Sequence, residues 1–319
     1  MTRKESHLEL FSRYNRGTIE YEENPKNLIQ AKNHDTVVIA GSGPSVNFIA
    51  HPFLAGLAFD LIGTANTAML KKEPNFLFFE SIDIAHLPVG ASSSGSQMLH
   101  YYCAAMELEL LRILRTKSNI KIILNPMLPA AQLSPSVSYF TPLPRGCTAT
   151  LPQYYFINES NDELILRGLR AYVDYSQSAI LNFRCSMVRA LSLAFELGYD
   201  NIILLGLDPS SPLHWYSSDD FETLICEEVD DIMIDLLTGR RELHKANLSG
   251  RMKHEGEFYE NTNFGMNASI WFSIAVLDAR RKALGNFKPP TITYMGSDPL
   301  TLDYISYYTK GNRVTLIEC

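Results

Sequence analysis

A glycine-containing turn and several polar side chains directly follow apolar runs of the sequence, and these residue types can bind a phosphorylated ligand. The turn is Gly41-Ser42-Gly43-Pro44-Ser45, and it follows the β-branched run 36–40. Backbone N–H groups in such a turn, together with the start of the following helix, can hold a phosphate or a ribose. Ser45 is placed to cap that helix. The competing interpretation is a plain strand-to-helix turn that binds no ligand, in which the glycines are needed only for the backbone conformation. The other polar residues in equivalent places are Asn66, Glu80, Asn125 and Asp208.

The common nucleotide-binding motifs are not matched around this turn. Val46 stands where a dinucleotide loop has its third glycine, and Asn66 stands where such a site has an acid for the ribose. The sequence contains no Walker A loop. It also contains no Asp-x-Asp pair, which enzymes that hold a nucleotide diphosphate sugar through a metal usually show. These observations disfavour NAD and favour a donor with one phosphate and no obligatory metal.

The elements that must position these residues alternate between short buried strands and helices. Such a pattern predicts an α/β fold, in which a doubly wound, mostly parallel sheet is covered on both faces. Ligands of such sheets bind at the carboxyl ends of the strands, so the polar residues above are expected to meet there. The predicted strands are 36–41, 60–66, 75–81, 121–127, 201–208, 291–296 and 313–319. The predicted helices are 101–115, 186–199 and 267–285, with an acidic helical patch at 226–237.

The sequence divides into four predicted segments. Residues 1–33 form an N-terminal helical extension, and residues 34–208 form the nucleotide-binding core. Residues 209–265 are polar, aromatic and irregular, which predicts a lid or acceptor subdomain. Residues 266–319 return to the core sheet. Within the core, the Pro-, Ser- and Thr-rich stretch 128–160 is expected to run over the surface without a core element.

Composition excludes several classes of protein. The 319 residues carry 28 basic and 35 acidic side chains, a formal charge of −7, which disfavours non-specific nucleic-acid binding. No window reaches the run of about 18 apolar residues that a membrane helix needs. The N-terminus has no secretory signal pattern. The five cysteines form no CxxC pair, so neither a disulfide framework nor a structural zinc site is expected. The expected compartment is the cytoplasm.

Three segments, in order and at compatible spacing, resemble the bacterial sialyltransferases of glycosyltransferase family 42. The first is VVIAGSGPS at 37–45, where the family reads VIIAGNGPS. The second runs from Asn182 through Arg184 to LGYDNIILLGLD at 197–208, and the third is Tyr216, eight residues after Asp208. The resemblance implies a single Rossmann-like sheet of the GT-A-like type with a lid. It also implies an inverting, metal-independent transfer of a sialic-acid-like or related keto-sugar from a CMP-activated donor, with no cofactor.

The family's site residues carry over unevenly onto this sequence. The nucleotide loop of the family is matched by Gly41, Gly43, Pro44 and Ser45, and one of its asparagines is matched by Asn66. Two further asparagines of the family are replaced here, by Ser42 and Glu80. Arg184 matches an arginine able to hold a carboxylate or phosphate. Tyr216 matches one of two phenols that donate to the leaving phosphate, and Ser210 stands in the second position. Ser186 lies near a nucleotide-contacting Thr-Ser, and Asp208 closes the matched strand.

The family's catalytic base is a histidine in the lid, before the last long helix. His254 is the candidate preferred for this role, because it lies nearer the returning helix than His244. His214 is the rival base. A neutral imidazole with a pKa of about 6.5 suits either position.

Two other functions remain open at this stage. A 6-hydroxymethylpterin diphosphokinase-like enzyme shares the AGSGPS loop and would need ATP, magnesium and a carboxylate pair. A Rossmann-like module without chemistry would bind a nucleotide or a partner only. For the transferase, the expected partners are the nucleotide-sugar donor and a glycan or lipid-linked glycan acceptor. A homo-oligomer and peripheral association with the inner face of the membrane are further expectations.

Overall fold

The computed structural model shows a nine-stranded parallel sheet. It describes residues 19–22, 24–80, 105–106, 109–117, 119–125, 149–157, 159, 161–211, 214–218, 220–239, 242, 266–286, 288–308 and 314–317. The strands are β1 Ile19–Glu22, β2 Thr36–Ala40, β3 Asp60–Thr64, β4 Phe76–Glu80, β5 Lys121–Asn125, β6 Ala149–Pro152, β7 Tyr154–Ile157, β8 Ile180–Phe183, β9 Asn201–Leu205, β10 Thr291–Met295 and β11 Val314–Ile317. The main sheet has the order β1-β6-β5-β4-β3-β2-β9-β10-β11, and β7 and β8 pair separately.

Helices cover both faces of this sheet. The labelled α-helices are α1 Pro52–Ala55, α2 Asp162–Val173, α3 Ser186–Glu196, α4 Met266–Ala283 and α5 Pro299–Tyr308. Further helical residues are 105–106, 109–114 and 231–239. Short 3₁₀ helices span Pro25–Ala31, Pro44–Ala50, Ala65–Met69, Trp215–Ser217 and Phe221–Thr223. One buried cluster packs α2, α3 and α4 against the sheet, and a second packs 109–114 and side chains from 215–237 against its other face. The predicted doubly wound α/β class is therefore confirmed.

The strand order locates the point at which a ligand would bind. From β2 the chain builds β3, β4 and β5 to one side, and then β9, β10 and β11 to the other. The order therefore reverses between β2 and β9, and in open α/β sheets ligands lie in the crevice outside the carboxyl ends of strands at this point. The glycine turn after β2 and the segment after β9 both lie at that crevice.

Three sequence-based expectations about the segments are wrong in part. Residues 19–22 of the expected helical extension form β1, which pairs in parallel with β6. The stretch 128–160, expected to lack a core element, contains β6 and β7, and Ala149 and Thr150 are buried in the main sheet. Of the expected lid 209–265, the described part contributes Trp215, Met233 and Leu237 to the core of one face. These side chains are large and apolar, and burying them against the sheet is favourable. The described part of 209–265 is therefore packed on the core and does not form a separate layer.

No helix in the part of the chain that the structure describes is both long and apolar enough to cross a membrane.

Candidate functional site

Glycines allow the ends of β2 and β9 to approach closely. The Gly41 N–H donates to the carbonyl of Leu205 at 2.9 Å, and the Gly43 N–H donates to that of Gly206 at 3.1 Å. A Cβ on Gly41 would lie 2.6 Å from the Gly206 oxygen. Gly206 has a φ of +72°, and a Cβ there would lie 2.7 Å from Val46 Cγ2. Side chains at Gly41 and Gly206 would therefore force the two strands apart.

Ser45 and Asp208 tie the turn to the segment after β9. The Ser45 N–H donates to Asp208 Oδ2 at 2.7 Å, and the Gly206 N–H donates to Ser45 Oγ at 2.8 Å. The residue at the N-cap of the following 3₁₀ helix is Gly43, and no side chain caps it. The expectation that Ser45 caps the helix is therefore wrong. Its hydroxyl is instead used in a contact between segments that are distant in the sequence.

This arrangement changes what the turn can offer a ligand. The N–H groups of Gly41, Gly43 and Ser45 donate to protein oxygens, and the Val46 N–H donates to the Gly43 carbonyl at 3.2 Å. The cradle of free backbone amides that the sequence suggested for a phosphate is therefore not formed by these four residues. One acceptor is the carboxylate of Asp208, whose charge would repel a phosphate placed directly on the turn. A ligand phosphate in this crevice cannot be held by these four amides.

The Asp208 carboxyl is half-buried, and its partial burial raises its pKa above the usual value of 3.8. The hydrogen bonds from Ser45 oppose the shift, and the nearby charge of Asp298 adds to it. The folded protein therefore binds this proton more tightly than the unfolded chain does. The stabilisation that the protonated group provides is complete below a pH of about 3.8 and is lost as the pH rises through the folded pKa.

Replacing Asp208 by asparagine is therefore expected to stabilise the protein relative to the wild type more at pH 7 than at pH 4. The asparagine Oδ1 can still accept from the Ser45 N–H, and the neutral amide has no charge to desolvate. Urea unfolding of both proteins across this pH range gives the difference in unfolding free energy. A difference that stays constant or falls with rising pH would contradict the assigned burial effect.

A second carboxylate at the same edge, that of Asp298, follows β10 and is buried. Its Oδ2 accepts from the Ser210 N–H at 2.9 Å and also from the Ser210 hydroxyl. Its Oδ1 accepts from the Thr301 N–H at 2.9 Å, which caps α5. The hydroxyl of Ser210 is thus engaged with Asp298, and its predicted contact with a leaving phosphate would require that bond to break. The sequence analysis missed Asp298, although its position before Pro299 and just after a strand was a readable signal.

The turn after residue 213 is attached directly to the glycine turn. The Trp215 N–H donates to the Ser42 carbonyl at 3.0 Å. The His214 ring stacks on the Tyr216 ring with centroids 5.0 Å apart and an interplanar angle of 19°. His214 is half-buried, whereas Tyr216 is only 1% exposed. The imidazole therefore borders the crevice, and Tyr216 supports it from behind.

Arg184 follows β8 and directly precedes α3. Its φ is +62°, and the Cys185 N–H donates to the Phe183 carbonyl at 2.8 Å across it. This left-handed backbone costs a non-glycine residue about 1–3 kcal/mol. The side chain is exposed, and its Nη2 donates to the Glu159 carbonyl at 3.3 Å. The start of α3 borders the glycine turn, because Met187 Sδ lies 3.2 Å from where a Cβ of Gly41 would be.

The remaining predicted residues lie at the same edge or outside the described residues. Pro44 is the first residue of its 3₁₀ helix, and Ser186 is the first residue of α3. Asn66 lies half-buried in the 3₁₀ helix after β3. Glu80 is the last residue of β4. His254 lies outside the described residues, as does His244.

Several buried polar atoms around the crevice have no hydrogen-bond partner among the described residues. They belong to the helix after the glycine turn, the end of β3, and the turn at 215–218. Buried polar atoms are nearly always satisfied, so each one is a contact that a bound molecule could complete. Sequence patterns could not reveal these atoms, because whether a buried polar atom finds a hydrogen-bond partner depends on tertiary packing. The atoms are Asn47 Oδ1, Thr64 Oγ1, Trp215 Nε1 and Ser218 Oγ.

The carboxylates of Asp208 and Asp298 lie near each other at the crevice. The exposed Arg184 follows β8, which pairs with β7 outside the main sheet. Within the described ranges, no group of three or more His, Cys, Asp or Glu side chains could hold a metal ion.

Comparisons with known proteins give one structural match. No protein-family model matches the chain, and no curated protein matches it. A solved structure, the α-2,3-sialyltransferase from Campylobacter jejuni in its apo form, is similar over 67% of this chain and 74% of its own. The sequence identity is 19% and the TM-score is 0.26. Since a TM-score of this size carries no argument, the fold assignment rests on the strand order of the chain itself.

Proposed function

We propose that this chain is a glycosyltransferase that takes a sialic-acid-like or related keto-sugar from a CMP-activated donor and attaches it to a hydroxyl of a glycan. The observation that carries the proposal is convergence at the crevice. The glycine turn, Asp208 and the turn holding His214 and Tyr216 contact one another, and the start of α3 borders them. The half-buried side chains of Asn47 and Thr64, whose oxygens have no hydrogen-bond partner among the described residues, are available to a nucleotide.

The proposed reaction inverts the anomeric carbon and needs no metal. The oxygen of the acceptor hydroxyl forms the new bond to the anomeric carbon while the bond from that carbon to the CMP phosphate oxygen breaks. A neutral histidine, His214 or His254, takes the hydroxyl proton. The released phosphate carries the negative charge, and the Arg184 guanidinium stabilises it by two parallel hydrogen bonds.

Tyr216 has a different role in this proposal from the one its position in the sequence suggested. Its side chain is almost fully enclosed, so a phenol contact with the leaving phosphate would require the neighbouring turn to move. In the arrangement described, its ring instead holds His214 by stacking. Such a supporting role requires the ring and not the hydroxyl, so Tyr216→Phe is expected to keep most activity and Tyr216→Ala to lose it.

Calorimetric titration with CMP in the presence of EDTA tests the proposal. The wild type is expected to bind CMP with a Kd below about 1 mM, and Arg184→Gln is expected to weaken that binding about tenfold or more. Arg167→Gln, an exposed arginine on α2, is the matched control and is expected to bind as the wild type does. Absence of CMP binding at this concentration, with magnesium-dependent consumption of ATP and a hydroxymethylpterin, would favour the diphosphokinase alternative and overturn the proposal.

A further inference from the structure

A cavity of about 130 Å³ lies at the opposite edge of the sheet, where α3 and α4 both end. Its charged lining residues are Lys26, Glu196, Arg280 and Arg281, and Phe195 and Asn286 also line it. Because α3 precedes β9 and α4 precedes β10, these helix ends lie at the amino ends of those strands. The cavity is therefore separated by the length of the strands from the crevice described above.

Arg280 is fully satisfied by protein groups. Its Nε forms an ion pair with Glu196 Oε1 at 3.2 Å, and its Nη1 donates to the Tyr172 carbonyl at 2.8 Å. Its Nη2 donates to the Gln177 carbonyl at 2.6 Å. Its guanidinium also lies 4.4 Å from the centroid of the Tyr172 ring. Arg280 and Glu196 therefore cancel each other's charge and act as structural groups.

Arg281, the next residue, has hydrogen-bond donors that lack an acceptor. Its Nε and Nη1 are buried and have no hydrogen-bond acceptor among the described residues. The centre of its guanidinium lies 5.8 Å from the Phe195 ring centroid, and burial lowers its pKa. The nearby charges of Asp200 and Glu196 favour this cation, but Asp200 pairs with Lys288 Nζ at 3.1 Å and Glu196 pairs with Arg280 Nε at 3.2 Å. A buried cation with unused donors is costly unless an anion completes it.

The carbonyl oxygens at the two helix ends do not accept hydrogen bonds from these Arg281 donors. Gly198 adopts a φ of +69° and Gly285 a φ of +83°, so both helices end in left-handed turns. In these turns the Tyr199 N–H donates to the Ala194 carbonyl at 3.2 Å, and the Asn286 N–H donates to the Arg281 carbonyl at 2.8 Å. Helix ends closed in this way have already used their last carbonyls. Glu196, the acid in the lining, is paired with Arg280, so the lining carries the charges of Lys26 and Arg281 in excess.

We infer that this cavity is a second binding site, for phosphate or for the phosphoryl group of a small molecule. Arg281 would supply the buried donors, and Lys26 would supply a further charge at the cavity. The volume is several times what one water molecule needs, so the cavity has room for a tetrahedral oxyanion. A site at this edge goes beyond the proposed transferase activity, and it stands or falls independently of it.

Titration with inorganic phosphate at constant ionic strength, followed by thermal unfolding and calorimetry, tests this inference. Wild-type protein is expected to bind phosphate and to unfold at a higher temperature as phosphate is added. Arg281→Gln and Lys26→Gln are each expected to weaken binding by about tenfold or more. Arg167→Gln, which removes an exposed charge on α2 that does not line the cavity, is the control and is expected to bind phosphate as the wild type does.

Glycerol phosphate in a parallel titration separates the two sources of the phosphoryl group. Equal binding of both probes assigns a ligand that carries a phosphoryl group, and binding of inorganic phosphate alone assigns the free ion. Should Arg281→Gln fold poorly, Arg281→Lys keeps the charge and loses the planar donors, so it is expected to bind phosphate more weakly than the wild type. No phosphate binding by the wild type, or equal binding by both Arg281 variants and the wild type, would overturn the inference.

Discussion

Replacing Gly206 by alanine is expected to lower the free energy of unfolding by about 3 kcal/mol or more. Two costs combine at this position. A φ of +72° disfavours any side chain by about 1–3 kcal/mol. The new Cβ would also lie 2.7 Å from Val46 Cγ2 and 2.9 Å from the backbone carbon of Gly41, and such overpacking adds about 1–3 kcal/mol. Urea unfolding monitored by circular dichroism measures the sum.

Gly198→Ala is the matched control for this experiment. Gly198 has nearly the same φ, +69°, but a Cβ there would meet no atom within 4 Å. The control therefore carries the backbone cost without the contact with β2. If Gly206→Ala destabilises no more than Gly198→Ala, the close approach of the β2 and β9 ends is not what the protein requires at this glycine.

Replacing Arg184 by glycine is expected to lower kcat for sugar transfer by about 10²–10³-fold without destabilising the protein. In the proposed mechanism this substitution removes the cation that stabilises the departing phosphate. Stability is retained because glycine tolerates the φ of +62°, which offsets the greater freedom that glycine gives to the unfolded chain. Arg184→Lys is expected to recover only part of the rate, because an ammonium lacks the planar pair of donors.

Steady-state assays of CMP release, together with urea unfolding, separate this prediction from a structural role. Arg167→Gln again serves as the control for removal of an exposed arginine. A glycine variant that keeps the wild-type rate would remove Arg184 from the mechanism. A variant that loses rate and stability together would assign the residue to folding instead.

The sequence indicated the central strands well, because fully buried parallel strands are short, apolar and β-branched. The run 201–208, for example, contains β9, although the strand ends at Leu205 once Gly206 turns the backbone. The strands at the β1 end of the sheet could not be found in this way. β6 is four residues long and ends in proline, and it pairs with β1, which is far away in the sequence. Such a pairing leaves no local pattern.

The contact between the segments after β2 and β9 could be predicted from the sequence, but the hydrogen bonds that form it could not. The rule that ligands meet the carboxyl ends of parallel strands predicted that the glycine turn and Asp208 lie in one region, as the structure shows. The expectation that backbone amides hold the phosphate was wrong for Ser45, because its N–H is occupied by Asp208. The close approach of Gly41 and Gly206 creates that contact, and no spacing along the chain could indicate it.

A crystal structure of the protein grown with CMP and EDTA tests the central claim most directly. The proposal predicts the nucleotide outside the carboxyl ends of β2 and β9, with its phosphate at the Arg184 guanidinium and its ribose or base completing contacts to Asn47 or Thr64. Density for CMP at any other place on the protein, or at this crevice without contact to Arg184, would contradict it.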